Sequence, residues 1–125
     1  MSEENFCVLL VSSAAKIRAT YPEYLRCHGV VVETADDVIE GLAKAVAHPP
    51  AVVVVDDATP GVGDYLTELR DLAATRDTDG VLLVSSVPFE KGLERQAAIL
   101  LKPVWPDDFF GKVLQLVLRR EASHA

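Results

Sequence analysis

The sequence contains little of what disulfide-stabilised, secreted or membrane-spanning proteins need. Only two of its 125 residues are cysteines, so a disulfide scaffold is not expected, and Cys7 and Cys27 are expected to be reduced thiols. No apolar run approaches the ~20 residues that cross a membrane. The acidic start Met-Ser-Glu-Glu-Asn lacks the basic and apolar segments of a signal peptide. Together these absences predict a cytoplasmic protein without membrane contact.

Positive charge is also scarce. The chain has 12 Lys and Arg against 19 Asp and Glu, which gives a formal net charge of −7. Nucleic-acid-binding proteins gather Lys and Arg against phosphates, whereas the largest basic cluster here is Arg119-Arg120. Nucleic acid is therefore not an expected partner. Histidine and cysteine do not recur at the spacing of a zinc site, so no metal site of that kind is expected.

What the sequence does contain is a regular alternation of apolar runs and helical periods. Half of the residues are apolar, which is enough for one core, and no repeat or linker divides the predicted single domain, residues 1–125. Five short apolar runs are typical of strands buried on both faces of a parallel sheet. They are Phe6–Val11, Val30–Thr34, Ala51–Asp56, Val81–Ser85 and Ala98–Leu101.

Helical periodicity fills the segments between and after these runs. Gly29 ends the first helix, and Pro22 is expected to kink or restart it. Thr34 and Asp37 resemble a capping box for the second helix. The predicted helices lie around residues 17–28, 38–46, 65–73, 90–97 and 107–121, and the fourth is the weakest.

This order of elements predicts an α/β fold. Repeated βα units with right-handed crossovers give a three-layer sandwich, and the flavodoxin-like strand order 2-1-3-4-5 is the natural choice for a five-stranded parallel sheet. Ligands of such sheets bind at the carboxyl ends of the strands. The polar residues predicted at that edge are Ser12, Ser13, Asp56, Asp57, Ser85 and Lys102.

Two segments carry a resemblance to a known family. The run Val52-Val53-Val54-Val55-Asp56-Asp57-Ala58-Thr59-Pro60-Gly61, read with Leu100-Leu101-Lys102-Pro103, resembles the receiver domain of bacterial two-component response regulators. The resemblance covers essentially the whole chain. It implies that Asp56 is the phospho-acceptor, that Ser85 and Lys102 contact the phosphoryl group, and that the Lys102–Pro103 bond is cis.

Three departures from the family pattern change the expected function. Ser12 and Ser13 stand where the family has the acidic pair that holds magnesium, so magnesium binding is expected to be weak. Ile99 stands at the family's aromatic switch position, and only sixteen residues separate Ser85 from Lys102, which shortens the fourth helix. Asp57 is not expected to replace the acidic pair, because neighbouring strand residues point to opposite faces.

The resemblance and its departures predict a signal-transduction module and no enzyme. An atypical receiver without phosphorylation is expected to act through protein–protein contacts, with Asp56 and Lys102 as a fixed ion pair. One alternative is a conventional receiver phosphorylated on Asp56 by a histidine kinase or phosphotransfer protein. Another is a small flavodoxin-like nucleotide-binding protein or enzyme, although the sequence has no P-loop or Gly-x-Ser-x-Gly motif.

The last helix is predicted to offer a partner surface. Its apolar residues span more of the helix than packing on one sheet requires. The candidate contact residues are Trp105, Phe109, Phe110 and Leu116. Signalling proteins are the expected partners, and a homodimer through this face is a further hypothesis.

Overall fold

In the described residues, five strands form one parallel sheet in the order β2-β1-β3-β4-β5, which confirms the predicted topology. The computed structural model describes residues 7–85 and 92–124, with side chains described up to residue 119. The strands are β1 Cys7–Val11, β2 Val31–Ala35, β3 Val52–Asp56, β4 Asp79–Val84 and β5 Ala98–Leu101. The helices are α1 Ala15–Arg26, α2 Val38–Ala47, α3 Val62–Asp71 and α4 Pro106–His124.

The sheet separates two apolar clusters. Alternate residues of β3 point to opposite faces, so Val52 and Val54 pack toward α1 and α4, whereas Val53 and Val55 pack toward α2 and α3. All four valines are fully buried. Burial on both faces explains why the strands read as continuous apolar runs. Among the described residues, no helix has the length and apolar character needed to cross a membrane.

Three predicted elements differ from the structure. The fourth helix, predicted around 90–97, is a 3₁₀ turn, Leu93–Arg95, in its described part, and residues 86–91 lie outside the described residues. One helix, α1, runs through Pro22 without a restart. The capping box was placed too early: Thr34 lies in β2, and Asp37 caps α2 by accepting a hydrogen bond from the Glu40 backbone N–H at 2.8 Å.

Helix α2 lies close to the sheet because Gly41 has no side chain. A Cβ at Gly41 would lie 2.8 Å from Val11 Cγ2 and 3.0 Å from Tyr65 Oη. Gly111 in α4 is different, because outside its chain neighbours and the nearby backbone of its own helix no atom lies within 4 Å of the position that its Cβ would take.

This contrast gives a matched pair of variants. Gly41→Ala is expected to lower the free energy of unfolding by about 1–3 kcal/mol, because overpacking outweighs the gain in helix propensity. Gly111→Ala is expected to raise it by up to about 1 kcal/mol, because the same gain comes without a clash. Urea unfolding followed by circular dichroism measures both. Equal stabilisation by the two alanines would contradict the close packing of α2.

Candidate functional site

The carboxyl ends of β1, β3, β4 and β5 meet at one edge of the sheet. Backbone hydrogen bonds extend the parallel ladders beyond the strand ends: Ser12 N–H donates to Ala35 O at 3.1 Å, and Lys102 N–H donates to Val84 O at 2.8 Å. These bonds fix the backbone of the polar residues at the edge. The peptide bond between Lys102 and Pro103 is cis, as the family resemblance implied.

Asp56 lies at the centre of this edge and is 1% exposed. The Lys102 ammonium donates to its Oδ1 at 2.5 Å, and the Ala58 backbone N–H donates to the same oxygen at 3.3 Å. The Ser12 hydroxyl, itself fully buried, donates to Oδ2 at 3.0 Å. Both carboxylate oxygens of Asp56 therefore have hydrogen-bond donors from the protein.

The electrostatics of this pair favour its charged form. Burial by itself would raise the pKa of Asp56, but the hydrogen bonds from Lys102 and the Ala58 N–H, with the Lys102 charge, lower that pKa below its usual value. Burial likewise opposes the charge of Lys102, yet Asp56 and Asp57 raise the Lys102 pKa above its usual value. Asp56 and Lys102 are thus an ion pair at neutral pH.

Asp57 also lies at this edge, and its side chain points toward the same space as that of Asp56. Its carboxylate accepts hydrogen bonds from the Ser85 backbone N–H at 3.0 Å and the Ser85 hydroxyl at 3.3 Å. Its Oδ1 lies 3.5 Å from Lys102 Nζ. The expected alternation of the Asp56 and Asp57 side chains does not hold, because β3 ends at Asp56. The hydroxyl of Ser85 consequently contacts Asp57, and no hydrogen bond joins Ser85 to Asp56 in the described structure.

The two serines have different surroundings. Ser12 is buried against Asp56, whereas the Ser13 side chain is exposed and its backbone N–H donates to Thr59 Oγ1 at 3.1 Å. Sequence reasoning missed Thr59, and it also missed Arg18, whose Nη1 donates to Ser12 O at 2.7 Å. The position of Arg18 in the first turn of α1, four residues after the N-cap Ala14, was the available signal, because one turn of helix brings a long side chain back beside the edge.

A hydrogen bond connects the loop after Lys102 to the helical layer. The Val104 backbone N–H donates to Tyr21 Oη at 3.3 Å. The ring of Tyr21 packs edge-on against Phe109, with the ring centroids 5.3 Å apart. The segment that carries the lysine is therefore attached to both α1 and α4.

The predicted partner surface is mostly internal. Phe109 is fully buried and Leu116 nearly so, because α4 packs against α1 as well as the sheet. The prediction was therefore wrong for these two residues. Phe110 is partly buried and stacks on His28, with the ring centroids 3.9 Å apart. Trp105, at 75% exposed, is the predicted contact residue that remains accessible.

Comparison with known proteins identifies the fold. No family model and no curated protein sequence matches the chain. Solved structures do match. A CheY-like response regulator receiver domain protein from Methanospirillum hungatei has a TM-score of 0.86 at 22% identity, over 96% of this chain and 99% of that one. The chemotaxis protein CheY4 of Vibrio cholerae has a TM-score of 0.80 at 28% identity, over 91% and 99%. A receiver domain protein from Clostridium thermocellum has a TM-score of 0.83 at 21% identity, over 94% and 98%.

The chain therefore has the receiver fold of response regulators. The matches cover 91–96% of this chain and 98–99% of each of these solved structures. This fold supports a signalling module of the two-component type.

Proposed function

We propose that this protein is an atypical receiver that signals through protein–protein contacts without phosphorylation and without catalysing a reaction. The observation that carries the proposal is the environment of Asp56, whose two carboxylate oxygens accept hydrogen bonds from Ser12, Ala58 and Lys102. In this proposal Asp56 and Lys102 form a permanent ion pair that shapes the edge of the sheet.

The carboxyl edge is poorly arranged for the transfer of a phosphoryl group to Asp56. An oxygen of Asp56 would have to leave its donors and attack the phosphorus in line with the leaving group. The transition state spreads negative charge over three oxygens, and positive charge must compensate it. Lys102 is the cation that contacts Asp56 in the described residues, and it is already paired with both Asp56 and Asp57.

The residues present also fit magnesium poorly. Magnesium prefers a near-octahedral set of oxygens, commonly one or two carboxylates with phosphate and water. Ser12 brings a neutral hydroxyl that is committed to Asp56, and the Asp57 carboxylate accepts hydrogen bonds from Ser85. We therefore propose that no cofactor is required and that magnesium binds weakly.

A conventional receiver phosphorylated on Asp56 is the second candidate, and one observation favours it. Asp57 brings a second carboxylate to the edge, 3.5 Å from Lys102. If Asp57 released Ser85, its carboxylate and the Ser85 hydroxyl would face the same space. This candidate requires measurable magnesium binding, and its partner would be a histidine kinase or a phosphotransfer protein.

The partner surface of the atypical receiver is proposed to include Trp105. Exposed aromatic side chains often anchor protein–protein interfaces, and Leu101, four residues earlier, is also exposed. A signalling protein is the proposed partner, and a second copy of the chain is the other.

Intact-mass spectrometry after incubation with a small-molecule phosphodonor and magnesium tests the choice between the two candidates. We expect no phosphoryl adduct on the wild-type protein, because Asp56 stays paired with Lys102. Asp56→Asn and Asp57→Asn are the matched controls. An adduct that disappears in either variant would contradict the proposal, and the variant that loses it would identify the acceptor.

A further inference from the structure

A groove lies at the opposite end of the sheet from Asp56, where β4 and β5 begin. Its volume is about 370 Å³. It is lined by parts of α3, the 3₁₀ turn and α4 together with the first residues of β4 and β5. Because a strand rises ~3.3 Å per residue, the length of β4 separates this groove from the carboxyl edge. The groove is therefore a different site from the one that contains Asp56.

Positive charge converges on this groove. Arg70 lies on α3, Arg95 in the 3₁₀ turn and Lys112 on α4, and all three line the groove together with Arg119. Two carboxylates also line it, which leaves a surplus of two positive charges on a chain with a net charge of −7. The cations come from separate elements, so the fold alone brings them together.

One of the two carboxylates of the groove is paired with Arg119, and the other accepts a backbone hydrogen bond. Asp79 lies 3.6 Å from Arg119, and the Glu94 carboxylate accepts a hydrogen bond from the Gly92 backbone N–H at 3.1 Å. Within residues 7–85 and 92–119, no carboxylate forms an ion pair with Arg70, Arg95 or Lys112. Three cations around one recess repel each other, and a bound anion would offset that repulsion.

Small residues of β4 and β5 line the groove and pack closely against each other. A Cβ at Gly80 would lie 3.2 Å from Ala97 Cβ and 3.3 Å from Gln96 O. Ala98, the first residue of β5, also lines the groove. Arg70 Nη1 donates to Arg95 O at 3.2 Å, and this hydrogen bond keeps the Arg70 guanidinium next to the groove. The result is a recess with a small, partly apolar floor and cationic walls.

We propose that this groove binds a small phosphorylated ligand. Arginine guanidinium groups match the geometry of phosphate oxygens and lysine adds a point charge. The amides of Gln96 and Gln115 also line the recess and offer neutral hydrogen bonds. A volume of about 370 Å³ is at the lower end of small-molecule sites, so the ligand is a compact molecule of mononucleotide or sugar-phosphate size.

The proposal is independent of the state of Asp56, and ¹H–¹⁵N NMR titrations with inorganic pyrophosphate and with a nucleoside diphosphate test it. We expect saturable shifts of amides around the groove. In the double variant Arg95→Gln/Lys112→Gln, affinity should fall at least about tenfold, because two charge-assisted contacts are lost. Arg76→Gln is the matched control, because Arg76 is exposed and lies outside the groove, and its affinity should equal that of the wild type.

Each outcome of these titrations either supports or overturns the proposed phosphate-binding groove. Tighter binding of the nucleoside diphosphate would support the groove and identify an organic phosphate as its ligand. Equal binding of both probes would support it as a site for the phosphate group alone. Absence of saturable shifts at the groove would overturn the proposal. An equal loss of affinity in Arg76→Gln would also overturn it, because it would show attraction to positive charge in general.

Discussion

Lys102→Met is expected to lower the free energy of unfolding by about 3–5 kcal/mol, because it leaves the Asp56 carboxylate buried and without its cation. Asp56 is 1% exposed and Lys102 donates to its Oδ1. The hydrogen bonds from Ser12 and Ala58 remain in the variant, but neither carries a charge. Urea unfolding of the variant and the wild type at pH 7 measures the difference.

The double variant Asp56→Leu/Lys102→Met is the control for this experiment. It replaces the pair with apolar side chains, and such replacements are often neutral or stabilising. We therefore expect it to recover most of the stability that Lys102→Met loses, which a double-mutant cycle quantifies. A double variant less stable than Lys102→Met would mean that the charge of Asp56 is not the cause of the loss.

The pH dependence of the free energy of unfolding of the wild type is a second test of the Asp56–Lys102 ion pair. Because the folded pKa of Asp56 is lowered, its contribution to stability is complete above the ordinary Asp pKa of about 3.9 and is lost as the pH falls. Because the folded pKa of Lys102 is raised, its contribution is complete below about 10.4 and is lost as the pH rises. The double variant Asp56→Leu/Lys102→Met should lose neither contribution, because it contains neither ionisable group.

Ser12→Asp is expected to make the stability of the protein depend on magnesium. Ser12 Oγ lies 3.0 Å from Asp56 Oδ2, so a second carboxylate there would face the first with Lys102 as the shared cation. Without metal we expect a loss of about 3–5 kcal/mol for an uncompensated buried charge. Magnesium at about 100 times its Kd would return roughly 2.7 kcal/mol. Thermal unfolding with magnesium and with a chelator measures the effect.

The control for this prediction is Ser12→Asn, which has the shape of aspartate without its charge. Its Tm should not respond to magnesium, and neither should that of the wild type. Ser12→Asp/Ser13→Asp restores both acidic residues of the family pattern and should respond most strongly. A magnesium-dependent Tm shift of the same size in the wild type would mean that Ser12 and Ser13 do not weaken the metal site, and it would favour the conventional receiver.

The parallel sheet and its polar edge could be predicted from the sequence because the apolar runs are buried on both faces. Val52–Val55 illustrate this, since full burial of a central strand leaves no polar position in the run. Once the strand order was chosen, parallel strands necessarily placed Asp56 and Lys102 at the same edge. The cis bond before Pro103 followed from the family resemblance, and no physical argument from the residues would have given it.

The remaining features depend on where elements end and what packs against them. Asp57 was correctly placed at the edge, but its side chain was expected to point away from that of Asp56, and the end of β3 at Asp56 removes that strand alternation. The apolar residues of α4 were read as an open surface, whereas the aromatic residues of α1 cover Phe109. The tertiary structure determines both the direction of the Asp57 side chain and the burial of Phe109. The residue pattern within a single strand or helix does not predict either of them.

The attachment of the lysine loop to Tyr21 also has a spectroscopic consequence. Trp105 is the single tryptophan of the sequence, and it directly follows Val104, whose N–H donates to Tyr21 Oη. An exposed indole next to a hydrogen-bonded backbone, three residues from Lys102, is a natural fluorophore near the carboxyl edge. Its emission and anisotropy report on the carboxyl edge and on partner association without any label.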